Sequence, residues 1–505
     1  MKSKFINKFV LGCFLAILVR ILTFSFNNEY SIDFQDELSK INYKNTNISI
    51  PDVNIKDYTF SISDDDMITY EDYSNIFLPK EVKSISTVIK NDAIEDINLY
   101  FKILKSTYAP YKYYGGDEAF LQAKEKILDY IYKYEGDTVN VNSLEDFMKE
   151  SLNFIKDRHF YVGDNLNSDS ILGTSTYYYN DNFPILKNTL GYYVYYGGVN
   201  YYIKSINSED NIEKYLKTSI NNNGELVQNI GMLEVYNGED HLNINVVFYR
   251  GESEYPKEIE LRLASNFNET TSSNFDYTEV DNIPVTSIRR MPYHISVDGI
   301  DLTETSLKTK NEKISILDLR SNSGGDILVA LDWINTHFGV VPEGNSLYLL
   351  LYGRVNDYLT YANDIYFNDD INLLNLEKLD DYYYANTPKT NTELHENENI
   401  IFALTDKNTS AAAEFFIENL KDFNNVVVVG TNTNGTLQSS NIELGYLPNS
   451  QIEFSYGNWL KIFDDEFFKE GEGIKPDLWV DGDDALDLVL KLISNYELID
   501  DYNIK

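Results

Sequence analysis

Residues 313–330 read KISILDLRSNSGGDILVA. The first part is a short apolar run of the kind that forms a buried strand, and Ile327-Leu328-Val329-Ala330 opens a helical pattern. Between them lie Asp318-Leu319-Arg320-Ser321-Asn322-Ser323-Gly324-Gly325-Asp326. Paired glycines at such a junction permit positive φ and let a ligand approach backbone N–H groups closely. Two uses fit: an oxyanion hole, or an ordinary turn from strand to helix, which the local pattern by itself favours.

Working outward, the same alternation recurs. IPVTSI (283–288), NIIFALT (399–405) and NVVVVGT (425–431) are further short apolar runs, and AAAEFFIENLKDF (411–423) between the last two is an amphipathic helix. Strands alternating with helices predict an α/β core over 266–490 with a buried, largely parallel sheet. Residues 187–265 differ. GYYVYYGGVNYYIKSI and LNINVVFYRG are rich in Val, Ile and Tyr with Gly punctuation, which predicts a β-rich module. Upstream, 94–186 reads as helical. Phe120, Ala123, Ile127, Tyr130 and Ile131 recur at helical spacing, and Ser143-Leu144-Glu145-Asp146 resembles a helix start leading to His159. Residues 26–93 are polar and read as a solvated lead-in, and 491–505 as a C-terminal tail.

The first 25 residues carry Lys2, Lys4 and Lys8, followed by the uncharged run Phe9–Val19. That run is short for a membrane span but suits the core of an export signal, with a cut after Ser25 preceded by Thr23. An uncleaved anchor is the alternative, so the expected location is secreted or at the cell surface. Any membrane association would run through that segment alone.

The 505 residues predict several domains, and 43% hydrophobic residues suffice for packed cores. With 80 Asp plus Glu against 42 Lys plus Arg, the net charge is −38, becoming −42 without residues 1–25. Such a balance argues against a nucleic-acid partner and implies a mild bias against acidic substrates. Cys13 is the only cysteine, so no intramolecular disulfide can form. No phosphate-binding loop and no metal-type spacing occur, so no cofactor or metal is expected. Oligomeric state is not legible.

Three further segments could carry chemistry. Asp406-Lys407-Asn408-Thr409-Ser410-Ala411-Ala412-Ala413-Glu414 opens the amphipathic helix, where a hydroxyl would gain from the helix dipole. Taken by itself, the segment reads first as a cap supplied by Thr409 or Ser410, which is what Ser and Thr usually do there. Asp157-Arg158-His159 ends the helical region, while His241, His294, His337 and His395 lie in less suggestive surroundings. Lys469-Glu470-Gly471-Glu472-Gly473-Ile474-Lys475-Pro476-Asp477 is a Gly-rich acidic turn.

Taken in order, these motifs resemble those of the tail-specific, or C-terminal processing, serine peptidases and their tricorn-core relatives. The correspondence runs through DRH (157–159), DLRSNSGG (318–325), TSAAAE (409–414), GTNTNG (430–435) and EGEGIKPD (470–477), and covers about residues 95–490. The resemblance implies a multi-domain α/β fold with a helical N-terminal region, a PDZ-like or merely β-rich middle module, and a catalytic core of the crotonase-like type. It implies a serine-type endopeptidase acting on protein or peptide substrates. The processing branch uses a Ser/Lys dyad, but Thr436 stands where its lysine would be. The tricorn-like branch uses Ser, His and Glu, which assigns His159 as base and Glu470 as the carboxylate that orients it. Gly324 or Gly325, with a backbone N–H at Ala411, would hold the oxyanion. At the nucleophile the chain departs from the pattern: aligned without a gap, Ala411 occupies the serine position and Ser410 precedes it. Two outcomes follow, attack by Ser410 from a remodelled turn or a catalytically inactive peptide-binding protein.

Overall fold

Ile314–Asp318 is a fully buried strand and Ile327–Phe338 a helix in a computed structural model describing residues 32–49, 51–78, 81–163, 173–267, 273–342, 344, 347–351, 377–379, 381–385 and 393–499. The expected export signal lies outside these residues. Among them, no helix is long and apolar enough to cross a membrane. The fold is mixed α/β with several sheets. It divides into two compact units, one of Ile41–Ser175 with Asn266–Pro476, the other of Met1–Lys40, Thr176–Ser265 and Asp477–Lys505.

Within the first unit, five strands lie in chain order: β1 (Phe275–Val280), β2 (Ile283–Ile288), β3 (Ile314–Asp318), β4 (Ile400–Thr405) and β5 (Val426–Gly430). β1 and β2 are antiparallel, and every later pairing is parallel. Burial on both faces explains why these runs are continuously apolar rather than alternating. Helices α1 (Val297–Thr309), α2 (Ile327–Phe338) and α3 (Ala412–Leu420) pack through Leu302, Trp333 and Phe416. The Trp333 and Phe416 rings meet edge-on at 5.4 Å, and the Trp333 indole N–H is satisfied by Thr305 Oγ1 at 3.1 Å. The carboxyl ends of β3, β4 and β5 carry the turns that begin at Leu319, Asp406 and Thr431. Open α/β sheets place their ligands at that edge.

The helical region forms Lys90–Thr107, Gly116–Lys133 and Val141–Ser151. Phe120, Ala123, Ile127 and Ile131 make the buried face of the second helix, as their spacing predicts. The third starts two residues before Ser143, because the Asn140 side chain caps it by accepting the Ser143 N–H. It ends at Ser151, short of His159. These helices share a core with Phe454 and Tyr456 of the strand Glu453–Ile462. Directly after His159, Tyr161–Val162 pairs with that strand, and so does Ser439–Tyr446. His159 is thereby delivered beside Ser439. The lead-in is more than solvated chain: helices Phe34–Thr46 and Tyr70–Phe77 lie within it. Phe34, Leu38, Ile41 and Asn45 recur every three or four residues and are all buried, a helical stripe hidden in a polar composition.

In the second unit, strands from Ser175–Asn188 to Ser253–Leu263 form a seven-stranded antiparallel sheet. Its first and last strands also pair, through Arg262 opposite Tyr179, so five of the strands close a ring. Gly197-Gly198, both at positive φ, make the two-residue turn between Gly191–Tyr196 and Val199–Ile206. Residues 176–265 contain no α-helix, only the short 3-10 turn Glu213–Tyr215. That segment is β-rich, as its Val, Ile and Tyr content predicts.

Candidate active site

The turn after β3 is built on a buried ion cluster. Asp318 accepts from Arg320 at 2.8 and 2.7 Å and from Arg289 at 2.9 Å. Both guanidinium groups lie against the Phe267 ring. Burial would raise the Asp318 pKa, but the two arginines outweigh it and hold the carboxyl below its ordinary value. Beyond this cluster, Asn322 is buried and donates to the Ile288 carbonyl while its Oδ1 accepts the Gly324 N–H at 2.9 Å.

Both glycines are required sterically. Gly324 has φ +88, and a Cβ there would lie 2.9 Å from the Ala411 Cβ. Gly325 has φ +136, and its Cβ would stand 2.0 Å from the Met291 carbonyl oxygen, a backbone atom. Gly325→Ala is expected to destabilise the protein by at least ~2 kcal/mol, since strain and clash coincide. A chemical-denaturation midpoint equal to that of the wild type would refute this.

The helix start lacks the side-chain cap expected of Thr409 or Ser410. Thr409 Oγ1 donates to the Leu319 carbonyl at 2.9 Å, and Ser410 Oγ to the Asn322 carbonyl at 3.4 Å, so neither hydroxyl caps α3. Ser410 also donates its N–H to Asn322 O at 2.9 Å. Ala411 adopts φ 50, ψ −114, a conformation that costs a non-glycine residue about 1–3 kcal/mol. It turns the chain sharply into α3 and sets the Ala411 Cβ against Gly324. What holds it there is Glu414, whose Oε2 accepts the Ala411 N–H at 3.0 Å.

Five consecutive residues gather the remaining pieces. Gly435 and Thr436 donate their N–H groups to Glu414 at 2.7 and 2.8 Å, and Thr433 Oγ1 adds a third bond at 2.5 Å. Gln438 N–H donates to Glu470 Oε2 at 3.0 Å, with Leu437 at 3.4 Å. Ser439 then reaches the DRH motif: its Oγ donates to Asp157 at 2.7 Å, and its carbonyl lies 2.7 Å from His159 Nδ1. Glu470 and Gly471 come close because the Gly471 N–H bonds the Gly435 carbonyl at 2.9 Å. A Cβ at Gly435 would clash with Gly471 N at 2.5 Å.

The histidine's chemistry follows from this geometry. A carbonyl oxygen can only accept, so Nδ1 carries the proton and Nε2 keeps its lone pair. Burial lowers the His159 pKa against the opposing pull of Asp157, which favours the neutral imidazole at pH 7. Asp157 is itself buried and accepts from Tyr108 Oη at 2.8 Å and the His159 N–H at 2.9 Å.

Glu470 joins the same network through the Arg158 N–H at 3.0 Å, and it accepts from the backbone N–H groups of Gln438 and Leu437 as well. The partner seen on the His159 ring is the Ser439 carbonyl, a different group from the Glu470 expected in the orienting role. Burial, reinforced by the Asp157 charge, pushes the Glu470 carboxyl well above its usual range. Of the expected oxyanion donors, Gly324 N–H is committed to Asn322 and Ala411 N–H to Glu414. Sequence reading passed over Glu414, Ser439 and Asn322. Only Glu414 had a visible signal, as the acid in the first turn of a helix that opens on three alanines.

Residues 298–480 match the family model described as Peptidase family S41. No curated protein matches the chain. Solved structures similar to it include mature CPAF (12% identity, covering 82% of this chain and 99% of that one, TM-score 0.41). The photosystem II D1 C-terminal processing protease is also similar (12%, 77% and 93%, TM-score 0.34). So is the tricorn protease (13%, 81% and 37%, TM-score 0.34).

Proposed function

We propose that this chain uses a peptidase-type cleft to bind a protein segment without hydrolysing it. The observation that supports this reading is the strained backbone at 411. The sharp turn, the glycine facing it and the carboxylate that braces it all prepare a nucleophile position, and the residue in that position is alanine. Ser410 is bonded to Asn322 through both its N–H and its hydroxyl, which tethers it away from the role. In this reading His159 Nε2 is a base with no hydroxyl to deprotonate. Glu470 holds the backbone of Arg158 and Gln438 in place, and the N–H groups of Gly325 and Ala412 are the donors for a bound carbonyl. The likeness of 298–480 to the S41 family model supports a protein substrate class, and residues 1–25 alone support export.

Incubation of the chain with an unfolded casein-type substrate tests the proposal. Retention of the substrate by pull-down, with no new amino termini, is the expected result. Hydrolysis that Ser410→Ala abolishes would overturn it in favour of attack by Ser410.

A further inference from the structure

Within the second unit, the hairpin of strands Leu216–Ile220 and Leu226–Val235, residues 179–184 with Arg262, and the segment 480–488 enclose a cavity of about 620 Å³. Two polar side chains in its lining are almost completely buried, Ser219 (4% exposed) and Asn229 (5%). Ser219 stands opposite Val227 and Asn229 opposite Lys217, so strand alternation puts Ser219 and Asn229 on one face of the hairpin. Among the described residues, neither side chain has a hydrogen-bond partner. The nearby Tyr177 hydroxyl is also unpartnered but sealed from solvent, whereas these two groups border the open cavity. Native structures satisfy such buried groups through water or a ligand where the protein supplies no partner.

The walls around these groups are already braced. Asn221 Oδ1 accepts the N–H groups of Asn223 and Glu225 at 2.9 and 3.0 Å, and its Nδ2 donates to Glu225 at 2.8 Å, which closes the hairpin turn. Asp481 accepts from Tyr179 Oη at 2.6 Å, from Arg262 at 2.7 Å and from the Ser265 N–H at 2.6 Å. The Arg262 guanidinium also lies on the Tyr179 ring, so this cation is committed on two sides. Asp181 receives Arg262 only at 3.4 Å, and the Asp484 side chain caps no helix N–H. Val227, Val480 and Leu488 add apolar surface, and the volume is in the range that takes a small molecule.

This set of donors and acceptors discriminates among ligands. Asp181, Glu225 and Asp484 would repel an anion, and Arg262 is already paired. An ammonium group can only donate, which would leave the Asn229 amide N–H groups unanswered. A hydroxyl both donates and accepts, so it matches an amide, a serine and a carboxylate alike. We propose that this cavity binds a neutral saccharide, its hydroxyls bonded to Asn229 and Ser219 and the apolar face of its ring lying against Val227, Val480 and Leu488. The inference stands apart from the fate of position 411, because it uses other residues and its readout is sugar binding.

The test is calorimetric titration of the full chain with the methyl glycosides of glucose, galactose and N-acetylglucosamine, with methyl glucuronide as the anionic probe and spermidine as the cationic one. At least one neutral glycoside should saturate a single site and bind more tightly than either charged probe. Asn229→Leu should weaken that glycoside at least ~10-fold, the loss expected when a buried hydroxyl is left without its partner. If that variant does not fold, Ser219→Ala, which removes only a hydroxyl, decides by a weakening in the same direction. No saturable binding of any of the three glycosides, tighter binding of methyl glucuronide or spermidine, or an unchanged affinity in a folded variant would each overturn the proposal.

Discussion

Ala411→Ser is expected to create hydrolysis that the proposed function denies to the wild type. The backbone at 411 already holds φ 50, ψ −114, so the new hydroxyl would be carried by a Cβ that lies against Gly324 at a turn built for it. Removing a triad serine typically costs several orders of magnitude in rate, so restoring one should raise cleavage on the order of 10³-fold above background. Adding His159→Ala to the Ala411→Ser chain should remove the gain. The pH profile carries the sign. A base must be neutral to accept a proton, and burial lowers the His159 pKa. The rate should therefore rise with pH and reach half its maximum below about 6.5, the ordinary histidine value. An Ala411→Ser chain that folds, retains substrate and still releases no new amino termini would sink the assignment of 411 as the nucleophile position.

The largest expected loss of stability belongs to Asp318→Ala. It leaves the Arg320 and Arg289 guanidinium groups buried without their carboxylate, and unpairing such a cluster costs about 3–5 kcal/mol. The effect depends on pH with a definite sign. The folded-state pKa of Asp318 is depressed, so its contribution is present above the unfolded value near 3.9. It is lost as pH falls from there through the folded value. Urea unfolding at pH 7 should show the full difference between wild type and variant, and the difference should shrink below about pH 4. A difference that stayed constant into acid would show that the carboxylate charge is not its source.

The turn around 318–326 was legible because its signals are local. Continuous apolar runs announced the buried strands, and Gly324-Gly325 announced a turn that only glycine can make. Where composition and periodicity disagreed, composition misled. The Asp, Asn and Ser content of 26–93 hid the Phe34, Leu38, Ile41 and Asn45 stripe, although the spacing was present. At Asn140 and Ser143 two residues with equal capping chemistry competed, and the pairing of Thr138–Asn140 with Thr87–Ile89 accompanies the earlier start.

The sequence by itself determined the order of the motifs, the α/β alternation and the identity of residue 411, because these are written in contiguous residues. Only the tertiary structure decided which groups each motif touches. Beyond Gly435 and Thr436, residues 435–439 carry no chemical signature of their own, yet the N–H groups of this stretch, with the carbonyl and hydroxyl of Ser439, meet Glu414, Glu470, Asp157 and His159. Those partners come from segments up to 312 residues apart, as in the bond from Arg158 to Glu470. A backbone N–H is the same at every residue, so its partner is chosen by the fold and not by the side chain that labels it.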